Sequence, residues 1–166
     1  MDATDAAKFD REAFGRAAGR FAAGVTVVAT QSTLGYRGIT ASSFSFVSLE
    51  PPLVLVCILT TSSFAPTIEE SGTFTVSVLP EDDEFLADRF ANRAPLVNAT
   101  FSGVPYRTAI TGAPLLRAAV AWFDCRLHAT YPGGDHRIFV GEVLAFGEND
   151  GEPLLVYRSR YARLTI

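Results

Sequence analysis

Apolar positions along this chain recur mostly with the two-residue period of strands, and only three segments carry the wider spacing of helices. The run Leu53 to Leu59, LVLVCIL, has no polar position, which is the pattern of a strand buried on both faces. GVTVVAT (24–30) is β-branched and reads as another strand, TFTVSVL (73–79) alternates, and EPLLVYRS (152–159) makes a last one. AAVAWFDCRLHATY (118–131) and HRIFVGEVLAF (136–146) are long strands joined by PGGD, a hairpin signal.

Helical spacing appears in FDREAFGRAAGR (9–20), with Asp10 as N-cap and Phe9, Phe14, Ala17 and Ala18 towards the core. TTSSFAPTIEESG (60–72) has Ser62 or Ser63 to cap it, Pro66 in its first turn and Gly72 to end it. PEDDEFLADRFAN (80–92) sets acids at its positive end and Arg89 near its close. QSTLGYRG (31–38) carries turn chemistry, and residues 93–114, rich in Gly, Pro, Asn and Ser, read as a surface loop. Strands do not alternate regularly with helices, so the pattern predicts a mainly β protein with added helices, an antiparallel barrel in preference to a doubly wound parallel sheet.

At 166 residues the chain is expected to form a single domain over 1–166, with residues 1–8 a disordered tail. Hydrophobic residues make up 48% of it, and part of that surplus suits burial against a second subunit. The apolar runs are too short to span a bilayer, so no membrane insertion is expected. MDATDAAKFD has acids where a secretory leader has a basic region, which predicts a cytoplasmic protein. Cys57 and Cys125 each lie in an apolar strand and read as reduced core thiols. Net charge is −4 and no basic block occurs, which argues against nucleic acid as a partner.

The chain contains no Gly-rich dinucleotide or phosphate loop, no nucleophile elbow and no C-x-x-C. His128 and His136 sit on two arms of one hairpin without carboxylate or cysteine company, so no metal site is expected. Three features carry candidate chemistry. Between two strands, GITASSFSFVSLEPP holds Thr40, Ser42, Ser43, Ser45 and Ser48. These residues suit either an exposed bend capping its own backbone or a cradle where small side chains let a ligand approach. Ser62 and Ser63 suit either an ordinary helix cap or a phosphate site. Asp135, His136 and Arg137 share the mouth of the predicted hairpin, where His136 is either a solvated residue or a polar contact for a ligand.

In this order the segments GRFAAGVTVVAT, GITASSFSFVSLEPPLVLVCI, SSFAPTIEESGTFTVSVL, FLADRFA, GAPLL, AVAWFDCRLHATYPGGDHRIFVGEV and PLLVYRSRYARL resemble the short-chain flavin reductase family. These are FMN-binding split-barrel proteins, the reductase components of two-component flavin monooxygenases, and the likeness runs from about Phe14 to Leu164. It implies a six-stranded antiparallel split barrel with a Greek-key element, assembled as a homodimer with flavin near the subunit interface. It also implies an NAD(P)H:flavin oxidoreductase that passes hydride from NADH or NADPH to FMN or FAD, and supplies diffusible reduced flavin to a separate monooxygenase.

By the same resemblance Thr40, Ala41, Ser42 and Ser43 line the ribityl and phosphate part of the flavin. Cys57 lies by the isoalloxazine ring, Ser62 and Ser63 meet the phosphate, and Arg89 and Phe90 match the family's R-F pair. His136, in G-D-H, stands near the nicotinamide as the catalytic candidate, with Tyr157, Arg160 and Tyr161 around the same pocket. Arg137 and Arg160 are candidates, on charge and position, for holding dinucleotide phosphates. Ser77 departs from the family's usual Asn, Tyr106 from a common Trp, and NRAPLVNATFSGVPY lacks a lysine-containing segment. The absence of a nucleophile or metal motif agrees with hydride transfer, which the cofactors carry once the rings stack within about 3–3.5 Å. Two other readings share the fold: a flavin carrier or redox sensor without reductase activity, and an oxidase of a phosphorylated pyridine cofactor.

Overall fold

A computed structural model describes residues 9–94 and 99–166. The tail expected over 1–8 and residues 95–98 of the expected loop lie outside the described residues. Helix α1 (Arg11–Ala18) precedes strands β1 (Ala23–Gly24), β2 (Thr26–Ser32), β3 (Gly35–Ala41), β4 (Ser45–Leu49) and β5 (Pro52–Leu59). Helix α2 (Ala65–Ser71), β6 (Thr73–Val78) and helix α3 (Glu84–Phe90) follow. The remainder is β: β7 (Tyr106–Thr108), β8 (Pro114–Leu116), β9 (Ala121–Gly133), β10 (His136–Glu148), β11 (Leu155–Tyr157) and β12 (Arg160–Ala162).

Seven strands form one antiparallel sheet in the order β3-β2-β6-β9-β10-β5-β4, with β1-β11-β12 and β7-β8 as smaller sheets. The mainly β architecture with few helices is as expected. The ladder, however, has seven strands and two edges, β3 and β4, instead of closing on six. The sheet buries apolar residues on both faces. On β2, Val27 and Ala29 join one cluster with Phe90, Phe101 and Leu116, while Val28 joins Val56, Phe74 and Phe139 in the other. Period-two alternation therefore explains why this strand is almost wholly apolar.

Several segments differ from the sequence expectation. Helix α1 has its Asp10 cap, which accepts from the amides of Glu12 and Ala13 at 3.0 Å, but none of its residues is buried. Phe9 and Phe14 meet at a tilt, 69% and 61% exposed, because no element among the described residues lies over them. Strand β5 is not buried on both faces: Val54, Val56 and Ile58 point into the core, whereas Leu53, Leu55 and Cys57 are half-buried and Leu59 exposed.

The expected surface loop over 93–114 contains β7 and leads into β8, and its Phe101 and Val104 are core residues. Aromatic packing outweighs turn composition there, since Phe101 meets Phe90 at 5.0 Å between ring centroids. The β9–β10 strands run through Pro132 and Gly133, leaving only Gly134 and Asp135 as the turn. Gly134 has φ +71°, the first central position that a two-residue hairpin reserves for glycine. The last strand is a hairpin, β11–β12, turning through Arg158 and Ser159.

Two glycines are small because aromatic rings press on them. A Cβ on Gly38 would lie 2.8 Å from the Phe90 ring, and one on Gly141 would lie 2.5 Å from that of Phe74. Ser77, where the family usually has Asn, is buried and accepts from the Leu116 amide at 3.1 Å, so its hydroxyl ties β8 to β6. Tyr106 packs edge-on against Tyr36 and Phe101. Among the described residues no helix is long and apolar enough to cross a membrane.

Candidate functional site

Strand β3 ends at Ala41, and the chain bends through Ser42, Ser43 and Phe44 before β4. Strand β4 pairs with β5 only as far as Leu55, so the outer edge of β5 from Val56 onward has no strand beside it. The Ser43 side chain fills that gap: its hydroxyl donates to the Cys57 carbonyl and accepts from the Cys57 amide, both at 2.9 Å. On the other side β5 pairs with β10, which sets His136 opposite Leu59. The Asp135 carbonyl accepts from the Thr60 amide at 2.9 Å and closes that end.

These elements surround a cavity of about 230 Å³ lined by Ile39, Thr40, Ala41, Ser42, Ser43, Cys57, Ile58, Leu59 and His136. Six residues singled out in the sequence thus meet across a gap between β3, β5 and β10. The walls combine apolar side chains with the hydroxyl residues Thr40, Ser42 and Ser43, and His136 adds one imidazole. His136 Nδ1 lies 2.7 Å from Asp135 Oδ1, and this hydrogen bond holds the Asp135 carboxyl below the ordinary carboxylate range. The ring is thereby fixed by one nitrogen, leaving Nε2 without a partner among the described residues.

Thr40, Ala41 and Ser42 also form one wall of a larger cleft of about 760 Å³. Its other walls are Glu84, Asp88 and Ala91 at α3, Arg93 beyond it, and Ser159, Arg160 and Tyr161 of the C-terminal hairpin. The Tyr161 hydroxyl donates to Asp88 Oδ1 at 2.6 Å and accepts from Arg93 Nη2 at 3.0 Å. Burial, followed by that bond to Asp88, pushes the Tyr161 phenol above its ordinary value. The two spaces share three lining residues, so a ligand with a flat head and a polar tail could occupy both. Their size and mixture of apolar wall and few polar groups are those of a small-molecule site.

The hydroxyls are less free than their number suggests. Thr40 Oγ1 donates to the Ala87 carbonyl at 2.6 Å, fastening β3 to α3, and Ser43 is committed to Cys57. Ser42 and Ser45 are exposed, and of these only Ser42 lines the two spaces. Ser62 Oγ accepts from the Phe64 amide at 3.2 Å, and the residue preceding α2, Phe64, makes no side-chain cap. Ser63 accepts from Arg37 through both its hydroxyl (2.8 Å) and its carbonyl (3.0 Å), and Arg37 also donates to Thr67 Oγ1. Neither serine lines the two spaces.

Arg89 donates to the carbonyls of Thr100 and Ser102, and Phe90 is wholly buried beneath Gly38; they flank the cleft behind Asp88 and Ala91. Tyr157 stays outside, its ring beneath the Arg158 guanidinium. Arg137 is held by both carboxylate oxygens of Glu69, which neutralises the charge expected to meet dinucleotide phosphates. Burial raises the Cys57 thiol above its ordinary value, and Cys125 is pushed up to about 12 by burial and by the adjacent Asp124 carboxylate. Among the described residues no cluster of three or more His, Cys, Asp or Glu side chains could hold a metal ion.

Sequence reasoning missed Arg37, Asp88 and Arg93. Arg37 sat in a segment read as turn, although a lone arginine amid strand residues needs acceptors and was a signal. Asp88 and Arg93 gave none, since their partner Tyr161 lies 73 positions beyond Asp88.

The flavin reductase like domain family model matches residues 18–165. The chain belongs to this flavin reductase-like family. It is 42% identical over 156 residues to the reductase component of 4-hydroxyphenylacetate 3-monooxygenase from Thermus thermophilus, covering 93% of this chain and 97% of that protein. It is 36% identical over 152 residues to the FMN reductase (NADH) SmoA of Agrobacterium fabrum, covering 92% and 85% of the two chains. Among solved structures, the NADH:FAD oxidoreductase SgcE6 of Streptomyces globisporus C-1027, in complex with NAD and FAD fragments, superposes with a TM-score of 0.86 at 38% identity. That match covers 94% of this chain and 93% of the other.

Proposed function

We propose that this protein is an NADH-dependent flavin reductase that supplies reduced FMN or FAD to a separate monooxygenase. The observation that carries the reading is the pair of spaces sharing Thr40, Ala41 and Ser42, with His136 at the rim of the smaller. A bound flavin and NADH supply the hydride chemistry themselves. The chain's part is to hold and shield. Ile39, Ile58, Leu59 and Cys57 offer flat apolar walls for the ring, and strand backbone beside Ser43 and Cys57 stays rigid through their paired hydrogen bonds. The polar tail would run past Ser42 into the cleft, where Arg160 offers positive charge to phosphate, Arg93 being paired with Asp88 at 3.3 Å. His136, steadied by Asp135, would position the nicotinamide and exclude water from the ring face.

The names of relatives, reductases paired with monooxygenases and NADH-dependent flavin reductases, support the activity, the donor and a separate oxygenase partner. NADH as donor supports work in the cytoplasm. The gap between β3 and β5, bridged by Ser43, supports reading the sheet as a split barrel whose slit is the flavin site. Phe9, Phe14 and Phe21 at the N-terminus, with Phe46 and Leu49 on edge strand β4, are exposed, and this supports a homodimer that covers them. The test is consumption of NADH or NADPH at 340 nm with added FMN or FAD. Flavin-dependent turnover supports the reductase; flavin binding without turnover would make the protein a carrier or sensor.

A further inference from the structure

A third pocket, of about 420 Å³, lies between the C-terminal end of α1 and the β11–β12 turn, lined by Gly15, Arg16, Gly19, Arg20, Arg158 and Ser159. Three arginines lining one pocket stand out in a chain of net charge −4. Their charge is barely compensated: Arg16 has Glu12 at 3.9 Å, and Arg20 and Arg158 have no ion pair among the described residues. Like charges gathered in one concavity repel unless an anion sits among them, and guanidinium forks match the paired oxygens of a phosphate or carboxylate.

The backbone gives independent support. Arg158 and Ser159, at φ +52° and +61°, form the two-residue turn of the hairpin in the left-handed region. Such turns favour Asn-Gly, and ordinary side chains there carry a conformational cost. The Arg158 amide donates to the Gly19 carbonyl at 2.9 Å, which locks the turn against the end of α1. A turn held in this form with Arg and Ser sets Arg158 on the same pocket as Arg16 and Arg20.

The pocket also has a direction. Ser159 lines both it and the 760 Å³ cleft, and that cleft shares Thr40, Ala41 and Ser42 with the ring cavity. The three spaces form one series, from an apolar slot through a polar cleft to an arginine-lined end. We propose that the arginine pocket binds the phosphates of an ADP moiety, the part that FAD and NADH have in common and FMN lacks. This rests on the flavin reductase reading, which FMN-dependent NADH oxidation by the wild-type protein tests separately.

The experiment titrates the full-length protein calorimetrically with ADP, then repeats it with Arg158→Asn and Arg20→Gln. The wild type should bind ADP, more weakly as salt rises from 50 to 200 mM, and each variant should bind it about ten-fold more weakly. Arg158→Asn should keep or raise the melting temperature, because Asn tolerates the left-handed turn, so its lost affinity would not reflect unfolding. Arg20→Gln leaves the turn intact and reads the charge alone. A KM rise for FAD and not FMN assigns the pocket to the flavin's ADP; a KM rise for NADH with either flavin assigns it to the nicotinamide dinucleotide's. Absence of ADP binding to the wild type, wild-type affinity in both variants, or unchanged KM for both FAD and NADH overturns the proposal.

Discussion

The Ser43 hydroxyl donates to the Cys57 carbonyl and accepts from the Cys57 amide, both at 2.9 Å, and so takes the place of a missing strand. Ser43→Ala leaves a half-buried N–H and C=O without partners, a loss of about 1–3 kcal/mol. Urea or thermal denaturation should register that loss. Flavin affinity, read by quenching of flavin fluorescence, should fall with it because the slot loses its pin. A variant with native stability and native flavin affinity would mean that water replaces the hydroxyl without consequence.

The two thiols should differ in access, and burial raises the pKa of both. Cys57 is half-buried on the cavity wall and Cys125 wholly buried, and both have thiols raised by burial, Cys125 to about 12. Well below its pKa a thiol's reactive thiolate fraction grows ten-fold per pH unit. Iodoacetamide should therefore label the native protein once, at Cys57, with a rate still climbing between pH 7 and 9. Added FMN should slow that labelling. Mass spectrometry of the labelled peptides decides it, and prompt labelling of Cys125 would contradict the packing around it.

Local devices were the legible part of this fold. Asp10 caps α1, Gly72 ends α2 with φ +68°, and Gly134 turns the long hairpin, all through contacts within a few residues. What the sequence hid depends on distant partners. Phe9 and Phe14 carry a helical core pattern, yet nothing among the described residues covers them; Phe101 and Val104 sit in turn-rich sequence, yet Phe90 gives them a core. The same division holds at the site. Thr40, Ala41, Ser42, Ser43, Cys57 and His136 converge because β3, β5 and β10 bring them together, an arrangement the family resemblance supplied and periodicity could not. The hydroxyls of Thr40 and Ser43 turned out to fasten the frame, a duty set by Ala87 and Cys57 far along the chain.

His136 and Asp135 should separate hydride transfer from flavin binding. The carboxylate holds Nδ1 at 2.7 Å and orients the ring over the cavity rim. Because that bond keeps Asp135 ionised to lower pH than an ordinary aspartate, the orientation should persist as the medium is acidified to about pH 4. His136→Ala should slow flavin reduction in stopped-flow by roughly ten-fold or more, with the flavin Kd little changed. Asp135→Asn should lie between it and wild type. Equal rates in all three proteins would remove the imidazole from the site.

Tyr161 links the C-terminal hairpin to α3 by donating to Asp88 and accepting from Arg93. Its phenol is raised by burial and by the bond to Asp88, so the folded protein holds this proton more tightly than the unfolded chain does. The stabilising contribution is then complete below about pH 10, the ordinary tyrosine value, and is lost as pH rises through the higher folded value. Tyr161→Phe removes two hydrogen bonds to charged groups, about 1 kcal/mol at neutral pH after discounting for partial exposure. It should also flatten the fall of stability above pH 10. Parallel urea melts of both proteins at pH 8 and pH 10.5 measure this directly. If the gap between the two proteins fails to narrow at the higher pH, the phenol proton is not what fastens the hairpin.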